Sequence, residues 1–235
     1  LGIDIDKKKV ASLKAMKSYI NHISDKKIKK LVSSKKLQVI SNFKKVRELD
    51  AIIICLPTPL NKYREPDLSF IINTMKDIKP YFRKGQILSL ESTTYPGTTK
   101  EEILPFIRDA GFKIGEDYFL IYSPEREDPG NKQFNTINIP KILGGITNAC
   151  NSIGTLLYSK IVNEVITVDD TATAEMTKLL ENIHRAINIG LMNELKPLAE
   201  KMGVDLYAVI RAASTKPFGF VPYYPGPGLG GHCIP

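Results

Sequence analysis

The stretch Ala51-Ile52-Ile53-Ile54-Cys55-Leu56 is a continuous apolar run. A run without alternation of apolar and polar residues is typical of a strand that is buried on both faces of a parallel sheet. Further apolar runs occur at 87–90 and 118–122, and segments with helical periodicity, 68–82 and 98–110, separate the three runs. Strands that alternate with helices predict a parallel sheet with helices on both of its faces.

Polar loops follow these three strands. Thr58 stands in the loop after the first strand, Thr94 in the loop after the second and Glu125 in the loop after the third. In such sheets, ligands bind beyond the carboxyl ends of the strands. The pattern therefore predicts that these three residues converge on one edge of the sheet, although they are far apart in sequence.

The first residues show the same alternation, with a short strand at 1–5 and a helical pattern from Lys7. In dinucleotide-binding folds an acid at the end of such a strand binds the ribose hydroxyls of adenosine, and a G-x-G-x-x-G turn lies about 20 residues upstream. The sequence starts at Leu1 and does not include such a turn. An acid in front of a helix, here Asp4 or Asp6, is otherwise often the helix N-cap. The pattern alone leaves both interpretations open.

A capping box is predicted where the helix at 98–110 begins. Thr98 stands at the N-cap position, and Glu101 follows three residues later. At this spacing two side chains can satisfy backbone donors at the start of a helix. The sequence therefore predicts that this helix supplies its own N-terminal cap.

The composition limits the class of protein. The 235 residues carry a net charge of +8, and 43% of them are hydrophobic, which is ordinary for a globular chain. The lysines are scattered over the first third without interleaved aromatic residues, so a solvated surface is favoured over nucleic-acid binding. Three cysteines without close spacing do not form a disulfide framework, which favours a reducing, cytoplasmic setting. No apolar run reaches membrane-spanning length.

From Thr171 onward the pattern is one long helix, 171–202, with an apolar stripe. The stripe includes Met176, Leu179, Leu180, Ile183, Ile187, Leu191, Met192 and Leu195. It could bury against the sheet domain or against a second subunit. Lys178 and Asn182 stand four residues apart on this helix and therefore share a face. Taken alone, this pair is interpreted as solvated surface.

The last stretch, 222–235, is rich in glycine and proline, which excludes a regular helix or strand. Cys233 stands in this loop beside His232. A cysteine in a polar loop is not placed like a core cysteine, so the residues leave three roles open: nucleophile, metal ligand or bystander. Metal binding is disfavoured because no second Cys or His stands at ligand spacing beside it.

Four segments, taken in order, carry a resemblance to a known family. They are Ser92-Thr93-Thr94-Tyr95-Pro96-Gly97, Ser123-Pro124-Glu125-Arg126-Glu127, Lys178-x-x-x-Asn182 and Pro225-Gly226-Pro227-Gly228-Leu229-Gly230-Gly231-His232-Cys233-Ile234-Pro235. Together they resemble the UDP-glucose/GDP-mannose dehydrogenase family, most closely the branch that oxidises UDP-N-acetylhexosamines. The resemblance covers essentially the whole chain. It implies NAD as cofactor and a four-electron oxidation of the C6 alcohol of a nucleotide sugar to a carboxylate.

The resemblance also implies the catalytic residues. Cys233 matches the nucleophile, which gives a thiohemiacetal and then a thioester. Glu125 matches the acid that positions or deprotonates water, and Thr94 matches the threonine that hydrogen-bonds the same water. Lys178 matches the lysine that stabilises the developing oxyanion, and Asn182 matches its neutral partner.

Four residues match positions at which members of the family bind the dinucleotide. Asp4 matches the acid that binds the ribose, and Lys9 matches a basic residue near the phosphate side of the adenosine. An acid at this place favours NAD over NADP, because it would repel a 2′-phosphate. Thr58 and Thr93 lie in loops that touch the dinucleotide in relatives.

Three residues of the terminal loop match the substrate side of the family. Tyr223, Gly228 and Gly230 are placed to hold the UDP diphosphate through backbone amides and a phenol. The alternative interpretation is that Tyr223 only packs inside the protein and does not contact the substrate. A UDP-sugar is therefore the expected partner, without nucleic acid, membrane or metal.

The predicted fold class is α/β, with a Rossmann-like, mostly parallel sheet that lacks its first βα unit, followed by a long-helix all-α central domain. We expect an NAD-binding domain at 1–167 and a helical dimerisation domain at 168–235, without the C-terminal UDP-binding domain of the family. A homodimer through the long helix is expected. Alternatives are a UDP-glucose 6-dehydrogenase, a two-electron β-hydroxyacid dehydrogenase, or a non-catalytic chain, and the chain by itself is expected to be inactive.

Overall fold

The computed structural model describes residues 1–127 and 133–229. It divides into two compact units, Leu1–Glu175 and Met176–Pro235, and each unit is described by itself below. Three residues singled out from the sequence, Gly230, His232 and Cys233, lie outside the described residues.

The strands and helices follow the predicted alternation. The strands are β1 Gly2–Ile3, β2 Val39–Ile40, β3 Ala51–Ile54, β4 Gln86–Leu90, β5 Tyr118–Tyr122, β6 Lys141–Gly145 and β7 Val165–Val168. The α-helices are α1 Lys7–Lys14, α2 Asp25–Ser33, α3 Ser69–Ile78, α4 Leu104–Asp109, α5 Asn148–Tyr158, α6 Thr171–Lys201 and α7 Leu206–Ala213. A short 3-10 turn at Lys79–Tyr81 replaces the end of the helix that the sequence predicts at 68–82, and another 3-10 turn stands at Lys44–Glu48.

The main sheet has five strands in the order β3-β4-β5-β6-β7. All neighbours in it are parallel except β5 and β6, which are antiparallel, so the predicted mostly parallel sheet is confirmed. Parallel neighbours need a long crossover, usually a helix, whereas antiparallel neighbours do not. In the described parts of the β5–β6 connection, 123–127 and 133–140, no helix is present.

The strands β1 and β2 form a separate parallel pair. In the doubly wound order the first strand of the fold stands between the second and the fourth. In that order β1 would be the second strand, β2 the third and β3 the fourth. The gap between the two sheets, which separates β1 from β3, then lies where the first strand of the order would stand. This topology agrees with the prediction of a Rossmann-like fold without its first βα unit.

The core lies on both faces of the main sheet. On one face Leu88 and Leu90 of β4 belong to a cluster with Met75 of α3. On the other face Ile87 packs in a cluster with Cys150 of α5. Because side chains alternate along a strand, β4 is buried on both sides, which explains its unbroken apolar sequence.

The predicted capping box at Thr98 is wrong. Thr98 has helical backbone angles, with φ −51° and ψ −47°. Its hydroxyl donates to Tyr95 O at 2.7 Å instead of accepting from the helix. The helix begins as a π-helical turn, Thr99–Ile103, which α4 continues.

Glu175 supplies the missing acceptors from the first turns of α6. Its Oε2 accepts from Gly97 N at 2.6 Å, and its Oε1 accepts from Thr99 N at 2.9 Å and Thr99 Oγ1 at 2.7 Å. Glu175 and Thr99 are both fully buried. Burial raises the pKa of Glu175, while these hydrogen bonds act in the opposite direction. A carboxylate distant in sequence thus accepts from the backbone N–H groups at the helix start, the capping role that the sequence assigned to Thr98 and Glu101.

The second unit contains most of α6 and all of α7. Met192 of α6 is buried with Leu206 and Ile210 of α7. The helix α6 continues through Pro197 and ends at Lys201. Gly203 follows with a φ of +68°, a left-handed conformation that is common for the residue after the end of a helix.

None of the helices in the described parts of the chain is long and apolar enough to cross a membrane.

Replacing Glu175 by alanine is expected to destabilise the fold by about 3 kcal/mol, because the buried Thr99 N–H would lose its acceptor. Urea unfolding of the wild-type and variant proteins measures the difference. Glu194→Ala is the matched control, since it removes the same side chain from an exposed position of the same helix. Equal unfolding midpoints for the two variants would contradict the capping role.

Candidate active site

The loops that leave β3 and β4 are fastened to each other. Thr58 Oγ1 donates to Thr93 O at 2.7 Å, and Leu56 N donates to Ser92 Oγ at 2.9 Å. These two hydrogen bonds connect loops that are more than thirty residues apart in the chain. The structure therefore brings Thr58 and Thr93, both predicted to face the dinucleotide, to one point at the carboxyl edge of the sheet.

Thr94 presents a buried hydroxyl at the same edge. The residue is 3% exposed, and its Oγ1 makes no hydrogen bond of standard geometry among residues 1–127 and 133–229. The neighbouring Tyr122 hydroxyl donates to Ser92 O at 3.1 Å. Burial raises the pKa of Tyr122 and its proximity to Thr94 acts in the opposite direction, so the two hydroxyls are near each other without forming a well-aligned hydrogen bond. Buried polar atoms without a partner are rare and call for an explanation. A bound water or substrate atom is an explanation that fits the predicted role of Thr94.

Glu125 follows β5 and has a half-exposed side chain, with 47% of its surface accessible. Its Oε1 accepts from Arg126 N at 2.8 Å and from Glu127 N at 2.7 Å. Its Oε2 lies 3.6 Å from Lys141 Nζ. The carboxylate is thus oriented by its own loop and remains accessible, as a residue that acts on water requires.

A buried cluster stands behind Glu125, and the sequence analysis missed it. Lys141 Nζ lies 3.1 Å from Glu91 Oε2, and both side chains are only 8% exposed. The Tyr158 hydroxyl also donates to Glu91, and burial together with the Glu91 charge raises the pKa of Tyr158. Ser89 Oγ lies 2.8 Å from the same hydroxyl. The one available signal was the position of Glu91, directly after a buried strand.

At the amino-terminal pair of strands, the structure separates two acids that the sequence left as alternatives. Asp6 is the N-cap of α1, because its carboxylate accepts from Lys8 N and Lys9 N. Asp4 therefore is not the cap. Its Oδ1 accepts from Asp6 N at 2.8 Å, and its Oδ2 lies 3.8 Å from Lys9 Nζ. A carboxylate at the end of β1 can accept hydrogen bonds from the ribose hydroxyls of a dinucleotide, and the lysine beside it suits the neighbouring phosphates.

Lys178 and Asn182 lie in the second unit, one turn apart on α6. The Asn182 Oδ1 atom is buried, and among the residues that the structure describes it has no hydrogen-bond partner. An unsatisfied buried amide oxygen is as unusual as the unsatisfied hydroxyl of Thr94. The unsatisfied atom is an acceptor, whereas the predicted contact to an oxyanion would use the Nδ2 donor of Asn182, so this feature does not bear on that role.

The glycine-rich loop is attached to α6 in the same unit. Asn193 holds it through two hydrogen bonds, from its Nδ2 to Gly228 O and from Gly226 N to its Oδ1, both at 2.9 Å. The Tyr223 hydroxyl lies 3.0 Å from His184 Nδ1, and the two rings meet edge to face. Tyr223 also packs against the cluster around Met192. These contacts favour packing over substrate binding for this phenol.

The two described cysteines are poor nucleophiles. Cys150 is fully buried, and its sulfur accepts from Leu120 N at 3.4 Å. Cys55 is exposed as a residue, yet its sulfur points inward and lies 4.0 Å from Glu91 Oε2. Burial of the thiol, reinforced by the Glu91 charge, raises the pKa of Cys55 to about 11. Cys233, the nucleophile that the family resemblance implies, lies outside the described residues.

No group of three or more His, Cys, Asp or Glu side chains that could hold a metal ion occurs in the described parts of the chain.

The interrupted parallel sheet, the acid after β1 and the joined loops at the carboxyl edge define the first unit as a Rossmann-type dinucleotide-binding domain. Residues 1–162 match the NAD binding domain of the UDP-glucose/GDP-mannose dehydrogenase family, and residues 172–235 match its central domain. The chain belongs to this family.

Two relatives illustrate the similarity in sequence. The chain is 34% identical over 236 residues to UDP-N-acetyl-D-glucosamine 6-dehydrogenase of Salmonella typhi, a match that covers 100% of this chain and 54% of that protein. It is 33% identical over 227 residues to UDP-N-acetyl-D-mannosamine dehydrogenase of Pyrococcus horikoshii, with 95% and 54% covered.

Solved structures share the fold. The UDP-D-ManNAc dehydrogenase of Pyrococcus horikoshii matches with a TM-score of 0.92 at 31% identity and covers 99% of this chain. A ternary complex of GDP-mannose dehydrogenase from Pseudomonas aeruginosa matches with a TM-score of 0.82 at 25% identity and covers 92% of this chain. These matches extend over 56% and 51% of those chains, so the present chain spans about half the length of its relatives.

The raised pKa of Cys55 predicts slow alkylation near neutral pH. With a pKa of about 11, only about one thiol in a thousand is ionised at pH 8, and the rate should rise about tenfold per pH unit towards pH 11. Peptide mapping by mass spectrometry after iodoacetamide treatment follows Cys55 alone. The control is the protein in urea, where Cys55 should react with an ordinary pKa of about 8.5. Equal rates in the folded and unfolded proteins at pH 8 would contradict the prediction.

Proposed function

We propose that the full-length protein is an NAD-dependent nucleotide-sugar 6-dehydrogenase that oxidises a UDP-N-acetylhexosamine, with N-acetylglucosamine or N-acetylmannosamine as the sugar. The observation that carries the proposal is the match along 95–100% of this chain to relatives named for these two activities. The geometry at the sheet edge supports it, because Thr94 and Glu125 both stand on loops at the carboxyl ends of neighbouring strands.

The proposed reaction removes two hydrides from one carbon. Bound NAD supplies the hydride acceptor for each of the two oxidations. The C6 alcohol first loses a hydride and a proton to become an aldehyde. The Cys233 thiolate then adds to the aldehyde carbon, and the resulting thiohemiacetal loses a second hydride and a proton to become a thioester. Water cleaves the C–S bond, which releases the carboxylate and returns the thiol.

Glu125 and Thr94 are assigned to the hydrolytic step. An oriented, accessible carboxylate can take the proton of the attacking water. The Thr94 hydroxyl, buried and without a partner among the described residues, can hold the same water. Lys178 is assigned to the oxyanion that develops as water adds, since an ammonium stabilises growing negative charge. Asn182 is assigned to the same oxyanion as a neutral donor.

The cofactor assignments rest on the first unit. Asp4 is proposed to bind the adenosine ribose of NAD, because the capping of α1 is left to Asp6. Lys9, beside Asp4, is proposed to face the phosphate side. Thr58 and Thr93 are proposed to contact the dinucleotide through the loops that their hydrogen bond joins.

The substrate assignments rest on the terminal loop. The backbone of Gly228 and Gly230 is proposed to face the UDP diphosphate. Tyr223 is proposed to support this loop through its contact with His184, rather than through a direct contact with the substrate.

We also propose a homodimer through α6, within the expected segment 171–202. Part of the predicted stripe is buried inside the second unit, as Met192 shows with 8% exposure. Five other members are exposed to between 46% and 65%: Met176, Leu180, Ile183, Ile187 and Leu191. A row of exposed apolar side chains on one helix supports burial against a second copy.

The complete oxidation is tested by the amount of NADH formed by the full-length protein with a panel of UDP-sugars. We expect two NADH for each UDP-N-acetylhexosamine consumed, with the uronate as product. Cys233→Ala should abolish the complete oxidation, since no thioester can form. A variant that still yields two NADH per sugar, or a wild-type protein that oxidises no UDP-sugar, would overturn the proposal.

The dimer is tested by light scattering coupled to gel filtration. Ile187→Glu places a charge at the most exposed position of the stripe and is expected to halve the measured mass. Arg185→Glu is the control, because residue 185 lies about 200° around the helix from residue 187. A monomeric wild-type protein would overturn the proposed assembly.

A further inference from the structure

Lys141 reaches the carboxyl edge of the sheet because β6 runs against its neighbours. Tyr122 at the end of β5 pairs with Gly144, so the amino-terminal end of β6 lies beside the loop that carries Glu125. The hydrogen bond from Ser123 Oγ to Ile142 O, at 2.6 Å, continues this pairing. In a parallel strand the amino-terminal residue would lie at the opposite edge. The reversed strand therefore brings a lysine to the loops at this edge.

The ammonium of Lys141 is fixed by groups on the buried side. Glu91 Oε2 lies 3.1 Å from Nζ, and the ring centre of Tyr158 lies 5.2 Å from it. Tyr158 in turn holds Glu91 through its hydroxyl. A buried ammonium is costly unless it is paired and well oriented, and a ring face adds a further favourable contact. The position of Nζ is thus set independently of Glu125.

The carboxylate of Glu125 is then held at both oxygens. Two backbone N–H groups of its own loop, those of Arg126 and Glu127, donate to Oε1. The other oxygen, Oε2, lies 3.6 Å from Lys141 Nζ. Contacts at both oxygens restrict the rotation of the carboxylate, which a half-exposed side chain would otherwise keep.

We propose that Lys141 is a positioning residue for Glu125, with Glu91 as its buried counter-ion. The inference rests on the proposed function, in which Glu125 acts on the water that cleaves the thioester. Lys141 contacts neither the substrate nor the water in this account. It acts by holding the Glu125 carboxylate in the orientation that the hydrolysis requires.

The test is a double-mutant cycle on the full-length protein, with uronate formation as the assay. Lys141→Met keeps an unbranched side chain of nearly the same length and removes its charge. We expect it to lower kcat about 10- to 100-fold, the range that a small misplacement of a reacting group produces. The KM for the sugar should change less than about twofold, because Lys141 does not bind substrate. Lys141→Arg should restore most of the lost kcat.

The coupling with Glu125 separates positioning from a merely structural role. Glu125→Gln is expected to lower kcat strongly by itself. In that background Lys141→Met should have almost no further effect, because residues that act through one group are not additive. Independent effects, which multiply in kcat, would overturn the inference.

Tyr158→Phe is the matched control for stability. It removes the hydroxyl donor to Glu91 and leaves the contact between Lys141 and Glu125 in place. We expect a lower Tm and a kcat close to that of the wild type. A loss of kcat as large as that of Lys141→Met would assign the effect to the buried cluster as a whole and overturn the inference.

Lys141→Met leaves the Glu91 carboxylate buried without its cation, which can prevent folding. The double variant Lys141→Met/Glu91→Gln removes both charges together and serves in the same cycle if the single variant does not fold. An unchanged kcat in Glu125→Gln would overturn the role assigned to Glu125 and this inference with it. A strong effect of Glu125→Gln that multiplies with that of Lys141 would overturn the inference alone.

Discussion

The hydrogen-bond register of β3, β4 and β5 is the constraint on which the sheet edge depends. Ile54 pairs with Leu90, and Leu90 pairs with Tyr122, so the three strands are aligned at their carboxyl ends. The loops that follow can therefore join, as they do between Thr58 and Thr93. A slip of one residue would send every side chain of a strand to the opposite face. Register, more than any single contact, places the candidate site.

Burial at this edge divides the polar residues into two kinds. Glu91 and Lys141 satisfy each other inside the protein, because an unpaired charge there would be strongly unfavourable. Thr94 keeps a buried hydroxyl that no residue in the described parts of the chain satisfies. The Glu91–Lys141 pair holds neighbouring loops in place at this edge, and the Thr94 hydroxyl leaves a polar atom for a ligand. A site that binds water for reaction needs both properties.

Some of the fold could be predicted residue by residue. The strand at 118–122 begins and ends where the sequence places it, because an apolar run is a local signal. The predicted cap at Thr98 is wrong because the acceptor for the backbone N–H groups at the start of this helix, Glu175, comes from another helix. The antiparallel direction of β6 was not predictable either, since an apolar run indicates that a strand is buried but does not indicate its direction in the sheet.

The sequence by itself determined the alternation of strands and helices, the family and the residues at the strand ends. Each of these depends on neighbours in the chain or on motifs that stand together. Only the tertiary structure decided that Asp6 rather than Asp4 caps α1, and that Lys141 stands between Glu91 and Glu125. The Asp6 cap is a local contact, but either acid could have made it, and only the backbone geometry selects one. For Lys141 the physical reason is that the energy of a buried charge depends on partners brought together by the sheet. No local pattern records those partners.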